Sequence, residues 1–275
     1  MKFTKMHGLG NDFIILDSIK PDNYDLNSLA IKLCDRHTGI GADGIVLVLP
    51  SDIADIQMRI INSDGSEPNM CGNAIRCFSK YVFENQIITK SKFTIETLAG
   101  LIKPEIIQEN NKVVSVKVNM GIPELERVNI PMMGKEGRVI NEKLTIGNTT
   151  FNITSMLMNV PHTIVYVDDI NAVDVNKIGS IIEKHKSFPK GTNVNFVQVI
   201  NSKEIKVRTW ERGAGATIAC GTGCCASAVA SILNNKTEDK IIVHLALGYL
   251  EIEWTENVYM TGPAELVFKS EISIN

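Results

Sequence analysis

The chain carries an internal repeat, and no other feature constrains its architecture as strongly. The stretch Gln57-Met58-Arg59-Ile60-Ile61-Asn62 leads on to Met70-Cys71-Gly72-Asn73. It aligns without a gap with Lys206-Val207-Arg208-Thr209-Trp210-Glu211, which leads on to Ala219-Cys220-Gly221-Thr222. The offset is 149 residues. A second pair, Phe13–Asp17 with Ile164–Asp168, lies 151 residues apart. Two matches in the same order at the same spacing imply two related halves. The boundary falls near Met120-Gly121-Ile122-Pro123, where an extended segment ends in Gly and Pro. The halves are then 1–120 and 121–275, with the final ~10 residues a candidate return to the first half. A length of 275 residues suits two domains.

Each half reads as strand-rich with one strong helix. Phe93–Leu98, Val113–Val118, Phe196–Ile200 and Ile241–Leu245 have the β-branched content and length of strands. The strands come in runs and do not alternate with helices, which argues against a doubly wound parallel sheet. One helix begins near Asn73. Its positions Ala74, Cys77, Phe78, Tyr81 and Val82 form an apolar stripe, with Arg76, Lys80 and Glu84 on the opposite face. The second, from about Gly223 to Leu233, is apolar nearly all round, broken only by Ser227 and Ser231. Such a helix is buried, inside its sheet. Shorter helices are expected near Asn27–Cys34 and Val175–Lys184. Two related halves, each rich in strands that come in runs and each with one strong helix, make the class α+β.

Composition removes several classes of function. Hydrophobic residues are 44% and charged residues 21%, which argues against disorder. A net charge of −3 gives no footprint for nucleic acid or for a polybasic membrane surface. The apolar run Ile45–Leu49 is far short of the ~20 residues that a membrane helix needs. Gly8, Gly10, Asn11 and Asp12 interrupt the N-terminal region, so no signal peptide is expected and the expected compartment is the cytoplasm. There thiols stay reduced, which disfavours pairing the six cysteines as disulfides. Zinc is disfavoured too, because no CxxC pair occurs and neither cysteine group has a nearby histidine; no metal is expected.

The repeat places Cys71 and Cys220 at the same spot, a small-residue turn opening a helix. A helix start offers unpaired N–H groups and partial positive charge, so it suits a carboxylate. The same field lowers a thiol pKa. If the halves face each other across a cleft, one carboxylate can lie between both helix starts, with a sulfur on either side of its α-carbon. That is a two-base racemisation: one thiolate takes the α-proton, and the opposed thiol returns one to the other face. N–H groups would stabilise the carbanion. No pyridoxal phosphate or other cofactor is required. The remaining cysteines, Cys34, Cys77, Cys224 and Cys225, read as structural. A non-catalytic reading, a redox sensor with a Cys71–Cys220 disulfide, stays open beside this one; such a bond reads better as inactivation.

The motifs resemble the diaminopimelate epimerase family over essentially the whole chain. They are Gly10-Asn11-Asp12-Phe13, Gly39-Ile40-Gly41-Ala42-Asp43-Gly44, Asn62-Ser63-Asp64-Gly65-Ser66-Glu67 and Met70-Cys71-Gly72-Asn73. Then come Glu96-Thr97-Leu98-Ala99-Gly100, Thr192-Asn193-Val194-Asn195-Phe196, Glu211-Arg212-Gly213-Ala214-Gly215 and Ala219-Cys220-Gly221-Thr222-Gly223. The resemblance implies a cofactor-independent isomerase of lysine and peptidoglycan-precursor synthesis, built of two pseudo-symmetric domains, each a curled mixed or antiparallel sheet around a central helix, with its site in the cleft between them. It implies Cys71 and Cys220 as the acid–base pair, and the backbone of Gly72, Asn73, Gly221 and Thr222 as the holder of the reacting carboxylate. It implies Asn11, Asn62, Asn193, Glu211 and Arg212 as contacts to the substrate's polar groups, Arg212 with a fork suited to a second carboxylate. His162 and Glu211 would tune the two cysteines. Read alone, Asn11 can equally cap a turn, Arg212 can form a surface ion pair and His162 can be a satisfied loop histidine. The partner is a small amino acid, and a homodimer follows from the resemblance alone.

One position departs from the family. Where its members usually read Gly-Asn-Pro-His, this chain reads Asn159-Val160-Pro161-His162. Val160 then replaces an asparagine that touches the substrate's distal end, and it cannot hydrogen-bond. An unpaired buried polar group costs about 1–3 kcal/mol. Asn159 compensates only by a one-residue shift, which the proline opposes. Two substrates follow: LL-diaminopimelate, converted to the meso form, or another L-amino acid such as histidine.

Overall fold

A computed structural model describes residues 1–273. The chain divides into two units: residues 1–119 with 261 onward, and residues 120–260. In unit 1 the elements are β1 (Lys2–Gly8), β2 (Asn11–Leu16), α1 (Leu26–Cys34), β3 (Gly44–Leu49), β4 (Ile56–Asn62), α2 (Gly72–Glu84), β5 (Ile95–Thr97), β6 (Gly100–Ile102), β7 (Glu105–Glu109) and β8 (Lys112–Asn119). Unit 2 has β9 (Val139–Ile146), β10 (Thr149–Met158), β11 (Val160–Tyr166), α3 (Val175–Glu183), β12 (Asn193–Asn201), β13 (Glu204–Glu211), β14 (Gly215–Thr217), α4 (Gly221–Leu233), β15 (Lys240–Leu245), β16 (Gly248–Trp254) and β17 (Val258–Gly262). The chain then re-enters unit 1 as β18 (Glu265–Glu271).

The repeat is visible in the ladders. In unit 1 the strand order is β18-β1-β2-β3-β4-β5-β6. From β1 to β6 the successive pairings run antiparallel, parallel, antiparallel, parallel, antiparallel. In unit 2 the strands β10-β11-β12-β13-β15-β16 give the same series. Even the register agrees. Phe13 pairs with Gly44 and its repeat mate Ile164 pairs with Asn195. The helices obey the same map: α1 and α3 each cross between a parallel strand pair, and so do α2 and α4. The class is α+β with mixed sheets, as the runs of strands imply.

Alternation explains how a sheet comes to lie between two helices. On β2, Ile14 and Leu16 join Ile45 and Leu47 of β3 against Leu26, Leu29, Ala30 and Leu33 of α1. Phe13 and Ile15 point to the other face, where α2 packs on β1, β2 and β3. A strand buried on both faces reads as a continuous apolar run, as Gly44–Leu49 does. In unit 2, Val194 and Phe196 of β12 meet Val175 and Ile182 of α3. The α4 helix packs on β10, β11, β12, β13, β15 and β16, so nothing leaves it a solvent face. Its two serines keep their hydroxyls satisfied by bonding back one turn, Ser227 to Gly223 O (2.7 Å) and Ser231 to Ser227 O (2.8 Å).

Three sequence expectations change. Arg76 is fully buried and not on a solvated face. The β7–β8 hairpin packs on α2, and the guanidinium spends its donors on Pro263 O (3.1 Å) and Gly72 O (3.3 Å). The strand expected over Phe93–Leu98 shrinks to Ile95–Thr97. Thr94 gives its backbone N–H to Asp55 (2.8 Å), and Leu98 and Ala99 form a turn closed by the Thr97 hydroxyl on Gly100 O (2.8 Å). The second long helix begins at Gly221, two residues earlier than the small-residue run suggested. Among the described residues, no helix is long and apolar enough to cross a membrane.

An ionic cluster ties the start of unit 1 together. Asp12 pairs with Lys5 (2.7 Å) and Arg36 (2.7 Å), and Arg36 also reaches Asp43 (2.9 Å). Burial pushes the Asp12 carboxyl up, but the hydrogen bonds from Arg36 and Lys5 outweigh it and hold the pKa at about 2. A depressed folded-state pKa stabilises the fold above the unfolded value of about 4 and loses that contribution as pH falls toward 2. We expect Asp12→Asn to remove about 1–2 kcal/mol of stability at neutral pH and to flatten the loss between pH 4 and 2. Urea titrations of both proteins at several pH values measure this. An unchanged acid limb in the variant would assign the effect to other carboxyls.

Candidate active site

Four helices open in two different ways. The N-caps of α1 and α3 are Asp25 and Asp174, whose carboxylates accept first-turn N–H groups. The N-caps of α2 and α4 are Cys71 and Cys220, and neither thiol caps its helix. A thiol is a poor substitute for a carboxylate there, and the leading residues of α2 and α4, Gly72 and Asn73 in one and Gly221 and Thr222 in the other, follow an N-cap with no side-chain cap bond. Such a start suits a carboxylate, and it occurs once in each unit.

In unit 1 the site is built on β2 and α2. Half-buried Cys71 donates its thiol to Asn11 Oδ1 (3.7 Å), which also accepts from Asn73 Nδ2 (3.0 Å). The Asn11 amide is oriented from its other end, where Nδ2 donates to Asp43 Oδ2 (2.7 Å). Asn11 is therefore not a turn cap; its oxygen is aimed at the cysteine. Asn62 ends β4, and its Nδ2 donates to Ser66 Oγ (3.0 Å) within a turn. The structure thus brings Asn11, Cys71 and Asn73 into one hydrogen-bonded group.

In unit 2 the site is built on β11, β12, β13 and α4. Cys220 is buried, with Thr222 Oγ1 at 3.5 Å. Thr222 Oγ1 lies 3.1 Å from His162 Nε2, and His162 Nδ1 lies 3.1 Å from Asn195 Nδ2. Glu211 accepts from the Thr217 hydroxyl (2.6 Å), and Asn193 Oδ1 accepts from Arg212 N (2.7 Å). The exposed Arg212 is steadied by Lys190 O (2.8 Å). Gly191 is required beneath it. Its φ is +70°, and a Cβ there would lie 2.9 Å from Arg212 Cδ.

The electrostatics correct one expectation. The helix field alone would lower a thiol pKa, but burial pushes Cys220 well above its ordinary value, and the Glu211 charge adds to this. The Thr222 hydroxyl and the Gly223 N–H pull the other way. In this state Cys220 is a thiol. His162 is fully buried, and burial, with Arg212 adding, holds its pKa down to about 3. The imidazole is neutral at working pH. Cys77, Cys224 and Cys225 are wholly buried and Cys34 nearly so, as structural thiols would be. Among the described residues, no group of three or more His, Cys, Asp or Glu is placed to hold a metal ion.

Val160 opens β11 half-buried, opposite Met158, with Pro161 opposite Leu157. Asn159 is exposed at the turn between β10 and β11, with φ +62°. Asparagine is among the few residues that tolerate that conformation, so Asn159 serves the turn and does not replace a side chain at Val160.

Residues 3–126 and 154–267 match the family model for diaminopimelate epimerase. The chain belongs to the diaminopimelate epimerase family. It is 51% identical to the diaminopimelate epimerase of Heliobacterium modesticaldum over 281 residues, covering 100% of both chains. To that of Pelotomaculum thermopropionicum it is 52% identical, covering 98% of each. To that of Methanococcus maripaludis it is 50% identical, covering 100% of each. The chain is accordingly an isomerase of the epimerase class. The fold extends further. A Bacillus anthracis phenazine biosynthesis protein of the PhzF family superposes with TM-score 0.74 at 16% identity, covering 100% of this chain and 99% of that one. A probable proline racemase from Agrobacterium radiobacter superposes with TM-score 0.70 at 15% identity, covering 100% and 93%. These two likenesses speak to the fold alone.

Two residues of the site escaped sequence reasoning. Asn195 bears on His162 from β12, and Thr209 of β13 bonds Asn195 in turn. The signal available was a polar residue at an inward position of a strand otherwise buried on both faces.

Proposed function

We propose that the chain interconverts LL- and meso-diaminopimelate without a cofactor, with Cys71 and Cys220 as the acid–base pair. The observation that carries this reading is the pair of uncapped helix starts at repeat-equivalent positions, each headed by a cysteine with its own hydrogen-bonded support. In this reading the amides of Gly72, Asn73, Gly221 and Thr222 hold the carboxylate of the reacting centre. One cysteine removes the α-proton and the other returns a proton to the opposite face. The carbanion is sustained by preorganised N–H groups in a water-poor setting. Arg212 takes the distal carboxylate through its fork. Closeness to relatives named diaminopimelate epimerase supports that substrate.

Val160 supports a second reading, racemisation of another α-amino acid such as histidine. It offers no hydrogen bond where the distal group of diaminopimelate would need one. Proton NMR of the reduced, metal-free protein in D2O separates the two. We expect loss of the α-proton signal with LL-diaminopimelate and none with a panel of single L-amino acids. Exchange in another amino acid with diaminopimelate inert would install the second reading. Retained exchange after oxidation of both cysteines would sink the two-thiol mechanism.

A further inference from the structure

We propose that Asn195 is a positioning residue that holds His162 in its Nε2–H tautomer, so that Thr222 is left to present its hydroxyl proton to Cys220 Sγ. This rests on the two-cysteine reading for its catalytic consequence, though not for its geometry. The argument runs along one chain of contacts inside unit 2. Thr209 Oγ1 donates to Asn195 Oδ1 (3.0 Å), which orients the amide. The amide nitrogen then faces His162 Nδ1 (3.1 Å), and an NH2 group only donates, so Nδ1 must accept. A neutral imidazole carries one proton, so that proton is on Nε2. It is donated to Thr222 Oγ1 (3.1 Å), whose own hydrogen turns to Cys220 Sγ (3.5 Å). A donor aimed at sulfur favours the thiolate. It opposes the effects that disfavour one: burial, and the charge of Glu211 on β13, with Cys224 of α4 adding its own contribution. Arg212 is the charged group acting on His162, and it helps to keep the ring neutral.

Two further observations show that the arrangement is built. Thr209, Asn195 and His162 are buried, the last two completely. Gly223, on the third position of α4, makes room for them. A Cβ at 223 would lie 2.4 Å from Asn195 Oδ1 and 3.2 Å from Cys220 Sγ. Glycine inside a helix is unfavourable against alanine, and the space needed for the amide explains why it stands here. Unit 1 has no counterpart. Asn11 stands where His162 does, and Gly44, which has no side chain, stands where Asn195 does. There the group beside Cys71 is an acceptor, Asn11 Oδ1, held by Asp43. The two sulfurs thus meet opposite hydrogen-bond polarity on the same scaffold.

The direct test is nitrogen-15 NMR of the histidines in the intact protein. The expected result is a His162 with protonated Nε2 and bare Nδ1; the reverse tautomer in the wild type would overturn the proposal. Asn195→Leu removes the donor to Nδ1 without adding a charge, so the tautomer is no longer fixed, and rings that carry Nδ1–H leave Thr222 to turn its hydrogen to the bare Nε2. The pH dependence of iodoacetamide labelling, read by mass spectrometry of separate cysteine peptides, then reports the consequence. The Cys220 midpoint should rise by about one unit while that of Cys71 stays, the scale of one lost hydrogen bond. The turnover number should fall about tenfold with KM little changed. Thr209→Val, which releases the amide, is the second variant should the first not fold, and it should raise the Cys220 midpoint in the same direction. An unmoved Cys220 midpoint in either folded variant would reduce Asn195 to a packing residue. Neither the tautomer nor the labelling needs a substrate, so failure of the diaminopimelate reading would show separately, in the exchange assay.

Discussion

Replacing Cys71 or Cys220 by alanine should lower inversion at the α-carbon by about 10²–10⁴-fold, the usual contribution of one positioned acid or base. The two variants should also differ from each other. A single remaining thiol can take a proton from one face of the carbanion centre and return solvent deuterium only to that face. Each variant should therefore exchange the α-proton of one stereoisomer and leave the other almost untouched, with little inversion of either. The assay is the proton spectrum and the chiral composition of the same sample in D2O. Wild-type inversion in either variant, or equal exchange of both stereoisomers, would dispose of the two-base assignment. Cys34→Ala is the natural control, since that side chain is buried at the end of α1 and neighbours neither cysteine-headed helix start.

Phe196→Ala should cost about 3–5 kcal/mol of stability, out of a total of ordinarily 5–15. Phe196 is wholly buried on β12, in the cluster that includes Val175, Ile182 and Phe188. Removing the ring strips unit 2 of one of the contacts that bind its sheet to α3. The polar residues Asn193 and Asn195 occupy the alternate positions of the same strand and point the other way. Activity per folded molecule should therefore survive at temperatures where the variant remains folded. Urea titration followed by circular dichroism gives the stability, and the exchange assay gives the activity. A loss under 1 kcal/mol would mean that the cluster closes over the gap.

Much of this arrangement can be read from the residues. Matching Cys71 with Cys220 and Asp17 with Asp168 predicts paired halves, and the ladders repeat in the same sense and register. The apolar girdle of Gly223–Leu233 predicts a helix enclosed by strands, and α4 is enclosed. What the residues do not display is competition between local and distant groups. Thr94 looks like strand but yields its backbone to Asp55, thirty-nine residues away. Arg76 looks like a surface residue but is claimed by Pro263, from the far end of the chain. A helix start suggests an acidic thiol at Cys220, yet enclosure raises its pKa instead. Asn195 looks like one more residue of a strand, and only the register that sets it beside His162 gives it a task.

The return of the chain to its starting unit has a consequence for biosynthesis. β1 is flanked by β2, its immediate successor, and by β18, which pairs with it from Lys2 opposite Glu271 to His7 opposite Glu265. Residues 120–260 form a continuous stretch and emerge from the ribosome as a block. The first sheet, begun earlier, waits with one margin of β1 open until β18 has been made. The half begun first is closed only after the second has been made, and until then the nascent protein carries an unsealed strand.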